Sequence, residues 1–170
     1  MGYIGADKLS ILLQHHKHMQ ALVVVLKIQI NQILNEKEDD VIYDLATKRN
    51  IDGLPGSGKI QDRTANIALG GKMSNETREA VHELINELNL VTIITEKIDI
   101  SLRILKPIER QLIQAKYFNQ ATWREIIKLT GLPQHTAREK LKETMNKLAN
   151  ICNIKIDEYR KLIILIERMV

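Results

Sequence analysis

The chain has 170 residues, a length that predicts one domain or two small ones. Its net charge of +4 permits a nucleic-acid partner without requiring one, and its single cysteine, Cys152, excludes an internal disulfide or a zinc site built from several cysteines. No apolar run approaches the roughly 20 residues that a membrane span needs, and the N-terminus lacks the pattern of a secretion signal. We therefore expect a cytoplasmic protein with no membrane partner.

Long helices are predicted for the N-terminal half, because the chain has only three prolines and eight glycines to interrupt them. From residue 7 to residue 35, apolar side chains recur at steps of three and four residues, which predicts one amphipathic helix. The charged run 36–40 is expected to break it, and residues 41–48 to form a short helix. His15 and His18 lie one turn apart but have no third ligand close in sequence, so we predict no metal site.

Residues 50–62 are rich in glycine and proline and are predicted to be a loop. Gly53, Gly58 and Lys59 have the spacing of a phosphate-binding loop, G-x-x-x-x-G-K. However, Ile60 takes the place of the Ser or Thr that would hold Mg²⁺, and the preceding residues do not have the pattern of a buried strand. A nucleotide-binding enzyme is therefore the least favoured interpretation, and we expect no catalytic residues and no cofactor.

A second long amphipathic helix is predicted from Ser74 to about residue 105, where the chain changes to shorter helices with tight turns. Two long helices joined by a loop favour an antiparallel hairpin, which needs a third helix or a second copy of the chain against it. We therefore predict an all-α protein with two parts. Residues 1–105 form a helical hairpin or oligomerisation region that includes the loop, and residues 106–170 form the second domain.

Residues 121–148 have the layout of a helix-turn-helix. Thr122 is predicted to cap a short helix, and Gly131 to occupy the turn, where a positive φ is often needed. Leu132 is expected to point back into the core and Pro133 to fit the first turn of the second helix. The positions predicted to face inward are Trp123, Ile126 and Ile127 in the first helix and Ala137, Leu141, Met145 and Leu148 in the second.

In a helix-turn-helix the second helix, here residues 133–148, lies in the major groove of DNA. The segment 121–148 carries six basic and three acidic residues, which supports a surface that faces phosphate. The side chains predicted to contact base edges are Gln134, His135, Arg138, Glu139 and Lys142. Those predicted to contact the DNA backbone are Arg124, Lys128, Thr136 and Lys140.

From Leu105 to Leu148 the chain resembles the fourth region of bacterial sigma factors. The matching segments are LKPIERQLIQAKYF, TWREIIKLTGLP and HTAREKLKETMNKL. Pro133 and Ala137 depart from the usual Ser and Val, and the upstream sigma regions are missing, so a full primary sigma factor is excluded. The resemblance implies DNA binding and a contact to RNA polymerase. The residues that match by type are Glu109, Arg110, Glu125, Ile126, Gly131, Leu132, Thr136, Arg138 and Lys140.

The organisation of the whole chain is also similar to that of the ArpU/RinA-type regulators of phages and prophages. Their loop motif Met/Leu-Pro-x-Gly-x-x-x-x-Asp has the counterpart LPGSGKIQD, which ends at Asp62. This resemblance implies a transcriptional activator of phage genes. The sequence leaves open whether the protein forms a homodimer. It also leaves open an alternative function, that of a DNA-recognition subunit for phage DNA packaging, similar to a small terminase.

Overall fold

The computed structural model describes residues 2–49 and 75–168. Within these two ranges all regular structure is helical, apart from one isolated antiparallel bridge between Tyr3 and Lys155. The prediction of an all-α fold is therefore confirmed. The predicted loop 50–62, with its glycines and Lys59, lies outside the described residues.

The helices follow one another along the chain with short connections after residue 75. They are α1 (Ala6–Gln14), α2 (His16–Arg49), α3 (Asn75–Ile104), α4 (Pro107–Ile113), α5 (Trp123–Thr130), α6 (Gln134–Cys152) and α7 (Ile156–Glu167). A π-helical turn, Gln114–Phe118, extends α4. The short helix predicted after Thr122 begins at Trp123, and the helix predicted at 133–148 is observed at Gln134–Cys152.

The N-terminal helices differ from the prediction in two respects. The single helix expected over residues 7–35 is interrupted at His15, where α1 ends and α2 begins. Helix α2 then continues through the charged run 36–40, where a break was predicted, as far as Arg49. The prediction of a break was wrong because the run holds no proline or glycine, and Glu and Lys have high helix propensity.

The described residues also group differently from the predicted division at residue 105. One compact unit consists of Met1–Val24 together with Glu87–Val170, and the other of Val25–Asn86. Helix α1 packs against α6 and the π-helical turn. The physical reason is the apolar face of α1, which is completely buried at Leu9, Leu12 and Leu13 and so needs partners that the C-terminal helices supply.

The segment before α1 is fixed to the end of the helix-turn-helix by two backbone hydrogen bonds. The N–H of Ile4 donates to the carbonyl of Ile154 (3.0 Å), and the N–H of Ile156 donates to the carbonyl of Gly2 (3.1 Å). The side chains of Ile4 and Ile154 are both buried. The first residues therefore belong structurally to the unit that contains α4–α7.

The junction between α3 and α4 is closed by one arginine. Arg110 donates from Nε to the carbonyl of Leu102 (3.0 Å), and from its terminal nitrogen to the carbonyls of Arg103 (2.7 Å) and Leu105 (3.3 Å). The carbonyls of Leu102 and Arg103 belong to the last turn of α3 and that of Leu105 follows it, where intrahelical N–H donors run out. A cation at this position also complements the helix dipole.

The second unit, Val25–Asn86, contains the described residues 25–49 of α2 and 75–86 of α3. The side chains of Leu26, Ile30 and Val81 are buried in it. These residues belong to the apolar stripes of the two predicted long helices.

Candidate nucleic-acid interface

Helix α5 begins with a reciprocal cap that fixes its first turn. The N–H of Glu125 donates to Thr122 Oγ1 (3.4 Å), while Glu125 Oε2 accepts from the N–H (2.7 Å) and the hydroxyl (2.8 Å) of Thr122. The backbone N–H of Thr122, followed by its hydroxyl, holds the pKa of Glu125 below its usual value. The predicted N-cap is therefore confirmed, and it sets the position of Trp123, the first helical residue.

The turn between α5 and α6 has the predicted glycine geometry. Gly131 ends α5 with φ +68° and ψ 5°, a left-handed conformation that residues with a Cβ rarely adopt. Leu132 follows as a half-buried residue. Pro133 is the N-cap of α6, one position before the predicted first turn, and its carbonyl accepts from the N–H of Ala137 (2.9 Å).

The inner face of the helix-turn-helix is buried as predicted for α6 and in part for α5. Ile126 is completely buried, whereas Trp123 and Ile127 are half-buried. In α6 the four predicted positions are buried, together with three others that continue the same stripe. These residues are Ala137, Leu141, Thr144, Met145, Leu148, Ala149 and Cys152.

The residues predicted to contact base edges lie together on the exposed side of α6. We call this set the recognition face: Gln134, His135, Arg138, Glu139 and Lys142, all of which are exposed. His135 Nδ1 lies 3.4 Å from Glu139 Oε2 in a highly exposed pair. All five residues lie in the N-terminal half of the helix.

The predicted backbone contacts surround this face. Arg124, Lys128 and Thr136 are exposed, and Lys140 is half-buried. Lys147, a further basic residue of α6, forms an ion pair with α4, because its Nζ lies 3.1 Å from Glu109 Oε2. The first turn of α6 has no side-chain cap and no acidic residue, so its backbone N–H groups favour an anion such as phosphate.

Trp123 lies beside two cations at the edge of the recognition face. The guanidinium carbon of Arg138 and the ammonium nitrogen of Lys116 are each 5.1 Å from the centroid of its ring. Lys116 belongs to the π-helical turn and was not predicted as a site residue. Sequence reasoning missed it because the turn and α5 approach each other only in the folded chain.

A groove of about 240 Å³ borders the recognition face on the side of α1. Its walls include Asp7 and Ser10 from α1, Tyr117 from the π-helical turn, and Arg138 and Lys142 from α6. Burial, and secondarily the carboxylate of Asp7, raises the pKa of the Tyr117 phenol, so this group stays protonated at neutral pH. Helix α1 is therefore a neighbour of the recognition face, which the sequence did not predict.

Most residues that carry the resemblance to sigma factors have a structural task. Glu109 accepts from the N–H of Lys106 at the start of α4 (2.9 Å), and Arg110 caps α3. Glu125 caps α5, and Gly131 forms the turn. The matching residues left with exposed polar groups and no such task are Thr136 and Arg138, with Lys140 partly exposed.

The histidines near the start of α2 have separate surroundings. The ring of His16 is buried and stacks on Phe118 (5.0 Å between centroids), and its Nε2 lies 2.9 Å from Asp99 Oδ1 without hydrogen-bonding geometry. The rings of His15 and His18 are 5.7 Å apart. In the described ranges no three His, Cys, Asp or Glu side chains converge on a point that suits a metal ion.

Comparison of the chain with protein-family models, with curated proteins and with solved structures gave no significant match. Among the helices of residues 2–49 and 75–168, none combines the length and the apolar character needed to cross a bilayer. The resemblances to sigma factors and to ArpU/RinA-type regulators thus remain predictions from the sequence.

Proposed function

We propose that this protein is a sequence-specific DNA-binding regulator of transcription, and an activator of phage or prophage genes. The observation that carries the proposal is the exposed recognition face on a helix that follows a short capped helix and a left-handed glycine. This arrangement is the one in which a second helix enters the major groove with its N-terminal residues against base edges. The activator role and a contact to RNA polymerase rest on the resemblances described above.

The chemistry of the recognition face suits bases as well as phosphates. A glutamine side chain pairs with adenine and an arginine with guanine through two hydrogen bonds each, and a carboxylate accepts from cytosine N4. Gln134, Arg138 and Glu139 supply these three groups. Arg124 and Lys128 on α5 supply cations of the type that fixes the register on the duplex without choosing a sequence.

Selection of DNA from a random duplex pool tests the proposal. We expect enrichment of one short motif, and a dissociation constant that rises steeply with salt because cations of the protein displace counterions from phosphates. Arg138→Ala should weaken binding to the enriched motif by about 1–3 kcal/mol and relax the choice at one base pair. A pool that yields no motif would count against a sequence-specific regulator.

Two further variants separate positioning from recognition. Lys128→Ala should weaken binding to the motif and to a scrambled duplex equally, because a phosphate contact carries no sequence information. Lys161→Ala, on the exposed side of α7, removes the same charge outside the helix-turn-helix and should leave both affinities unchanged.

The mass of the protein in solution separates the regulator from the DNA-packaging alternative. We expect a monomer or a dimer, because operator symmetry usually mirrors protein symmetry. A ring of many copies would instead favour a packaging subunit. Recovery of RNA polymerase with the immobilised chain would support the activator role, and its absence would count against the polymerase contact alone.

A further inference from the structure

The recognition face contains one cation that is held in place before any ligand arrives. The guanidinium of Arg138 lies over the ring of Trp123, 5.1 Å from its centroid, within the range of about 6 Å over which the face of an indole attracts a cation. In the described residues Arg138 has no carboxylate partner within ion-pair distance. The indole is therefore the group that orients this arginine.

The backbone that carries the indole is itself fixed. Trp123 follows Thr122, whose backbone and side chain are both hydrogen-bonded to Glu125. The ring is half-buried and forms part of the groove beside α6. Arginine commonly places its planar guanidinium over an aromatic face, and there its N–H groups stay free for the two hydrogen bonds that guanine accepts.

Lys116 brings a second cation to the same ring. Its ammonium is also 5.1 Å from the ring centroid, so two positive charges share one indole. Like charges held at one ring repel each other, and an anionic group beside them reduces this penalty. In DNA the anionic group next to a base edge is a backbone phosphate.

We propose that Lys116, Trp123 and Arg138 act as one DNA-binding cluster, in which Trp123 is a positioning residue for Arg138 and Lys116 is a further phosphate contact. The proposal rests on the proposed function, since it assumes that the recognition face binds DNA. It adds two residues that the sequence did not assign to DNA. The indole lowers the entropy that Arg138 loses on binding, because its side chain is already ordered.

A double-mutant cycle tests the positioning role. Affinities for the selected motif are measured by fluorescence anisotropy for the wild type, Trp123→Leu, Arg138→Ala and the double variant, each shown to be folded by circular dichroism. We expect Trp123→Leu to weaken binding by about 3- to 10-fold, and to have no additional effect when Arg138 is already alanine. Trp123→Phe, which keeps an aromatic face, should lose less than Trp123→Leu.

Equal losses from Trp123→Leu with and without Arg138 would overturn the positioning role. If the wild type binds no duplex, the proposed function fails; if the wild type binds and the cycle is additive, only the cluster fails.

A second readout, the fluorescence of Trp123 in the wild type, does not depend on the stability of a variant. Trp123 is the only tryptophan in the chain, so its emission should change on titration of the wild type with the selected duplex. An unchanged emission during saturable binding would also contradict the cluster.

Lys116→Ala tests the phosphate contact. We expect a similar loss on the selected motif and on a scrambled duplex, and a salt dependence whose slope falls by about one. Lys161→Ala is the matched control with the same change of charge on α7. A slope that is unchanged by Lys116→Ala would remove Lys116 from the interface.

Discussion

The two compact units of this chain are specified by the sequence in different ways. In the unit Met1–Val24 with Glu87–Val170, the side chains of Thr122 and Arg110 cap helix ends, and Gly131 ends α5 through its left-handed backbone. In Val25–Asn86, residues 25–35 and 75–86 carry apolar stripes whose buried side chains are Leu26, Ile30 and Val81. Capping and turn residues therefore fix where helices of the first unit begin and end. In the second unit only the spacing of apolar residues predicts the helices.

The capping glutamates show how repetitive the local signals are. Glu109, Glu125 and Glu158 each accept a hydrogen bond from the backbone N–H three residues earlier, at 2.9, 2.7 and 3.0 Å. In this way α4, α5 and α7 start with the same contact. A glutamate at the third helical position is a known sequence signal, but at Glu109 and Glu158 the N-cap is a lysine, which hides the pattern.

The largest expected effect concerns the membership of α1 in the first unit. Leu13→Ala removes a completely buried side chain from α1 and should lower the free energy of unfolding by about 2–5 kcal/mol, as Leu148→Ala should in α6. Ile11→Ala, on the more exposed side of α1, should cost less than about 1 kcal/mol. Urea denaturation measures all three. A Leu13→Ala value close to that of Ile11→Ala would mean that α1 is not part of the cooperative unit.

An intermediate effect is expected at the turn of the helix-turn-helix. Gly131→Ala should destabilise the protein by about 1–2 kcal/mol, because its φ of +68° is costly for a residue with a Cβ. No atom lies within 4 Å of the added Cβ, so the loss is due to the backbone conformation alone. Gly5→Ala, at φ −85° and with equally open space, is the control and should cost less. Equal melting temperatures for the two variants would contradict the importance of this turn.

The smallest effect is expected from pH. The N–H of Lys106 lowers the pKa of Glu109 below its ordinary value near 4.5, and the N–H of Thr122 does the same for Glu125. Burial acts to raise the pKa of Glu158, but the N–H of Lys155 and the charge of Lys97 outweigh it. Carboxylates with a lowered folded pKa stabilise the native state above the unfolded value, and this contribution is lost as the pH falls through the folded value.

The free energy of unfolding should therefore decline as the pH is lowered from about 5 to below 4. Glu109→Gln should make this decline shallower, since it removes one of the groups that must be protonated. Glu167→Gln, at the end of α7 where it caps no helix, is the control. Denaturant melts at several pH values measure the slopes, and identical slopes for wild type and Glu109→Gln would contradict the capping role.

The sequence was sufficient for the elements whose signals are local. The elements that follow from residue type and spacing are the cap at Thr122, the left-handed Gly131, and the start and buried stripe of α6. The packing of α1 was not predictable, because an apolar stripe such as Leu9, Leu12 and Leu13 does not identify its partner. The meeting of Lys116 with Trp123 depends on the π-helical turn, which brings the end of α4 towards α5.

The break at His15 and the continuation of α2 through residues 36–40 were also not predicted from residue type and spacing. Charge and periodicity favoured one helix up to residue 35, yet helical hydrogen bonding depends on backbone geometry, which charged side chains do not disturb. In the candidate site, exposure of the recognition face followed from the stripe opposite to it. The contact between Arg138 and Trp123 could not be predicted in this way, because it depends on the angle and distance at which α5 and α6 cross.

The most direct test of the central claim is to map DNA binding onto the chain residue by residue. Nuclear magnetic resonance spectra of the ¹⁵N-labelled protein are recorded during titration with the selected duplex. The account predicts that the largest changes in amide signals fall at residues 131–142 and around Thr122 and Lys116, while α7 changes little. Saturable binding that leaves residues 131–142 unchanged would contradict the assignment of α6 as the DNA-recognition helix.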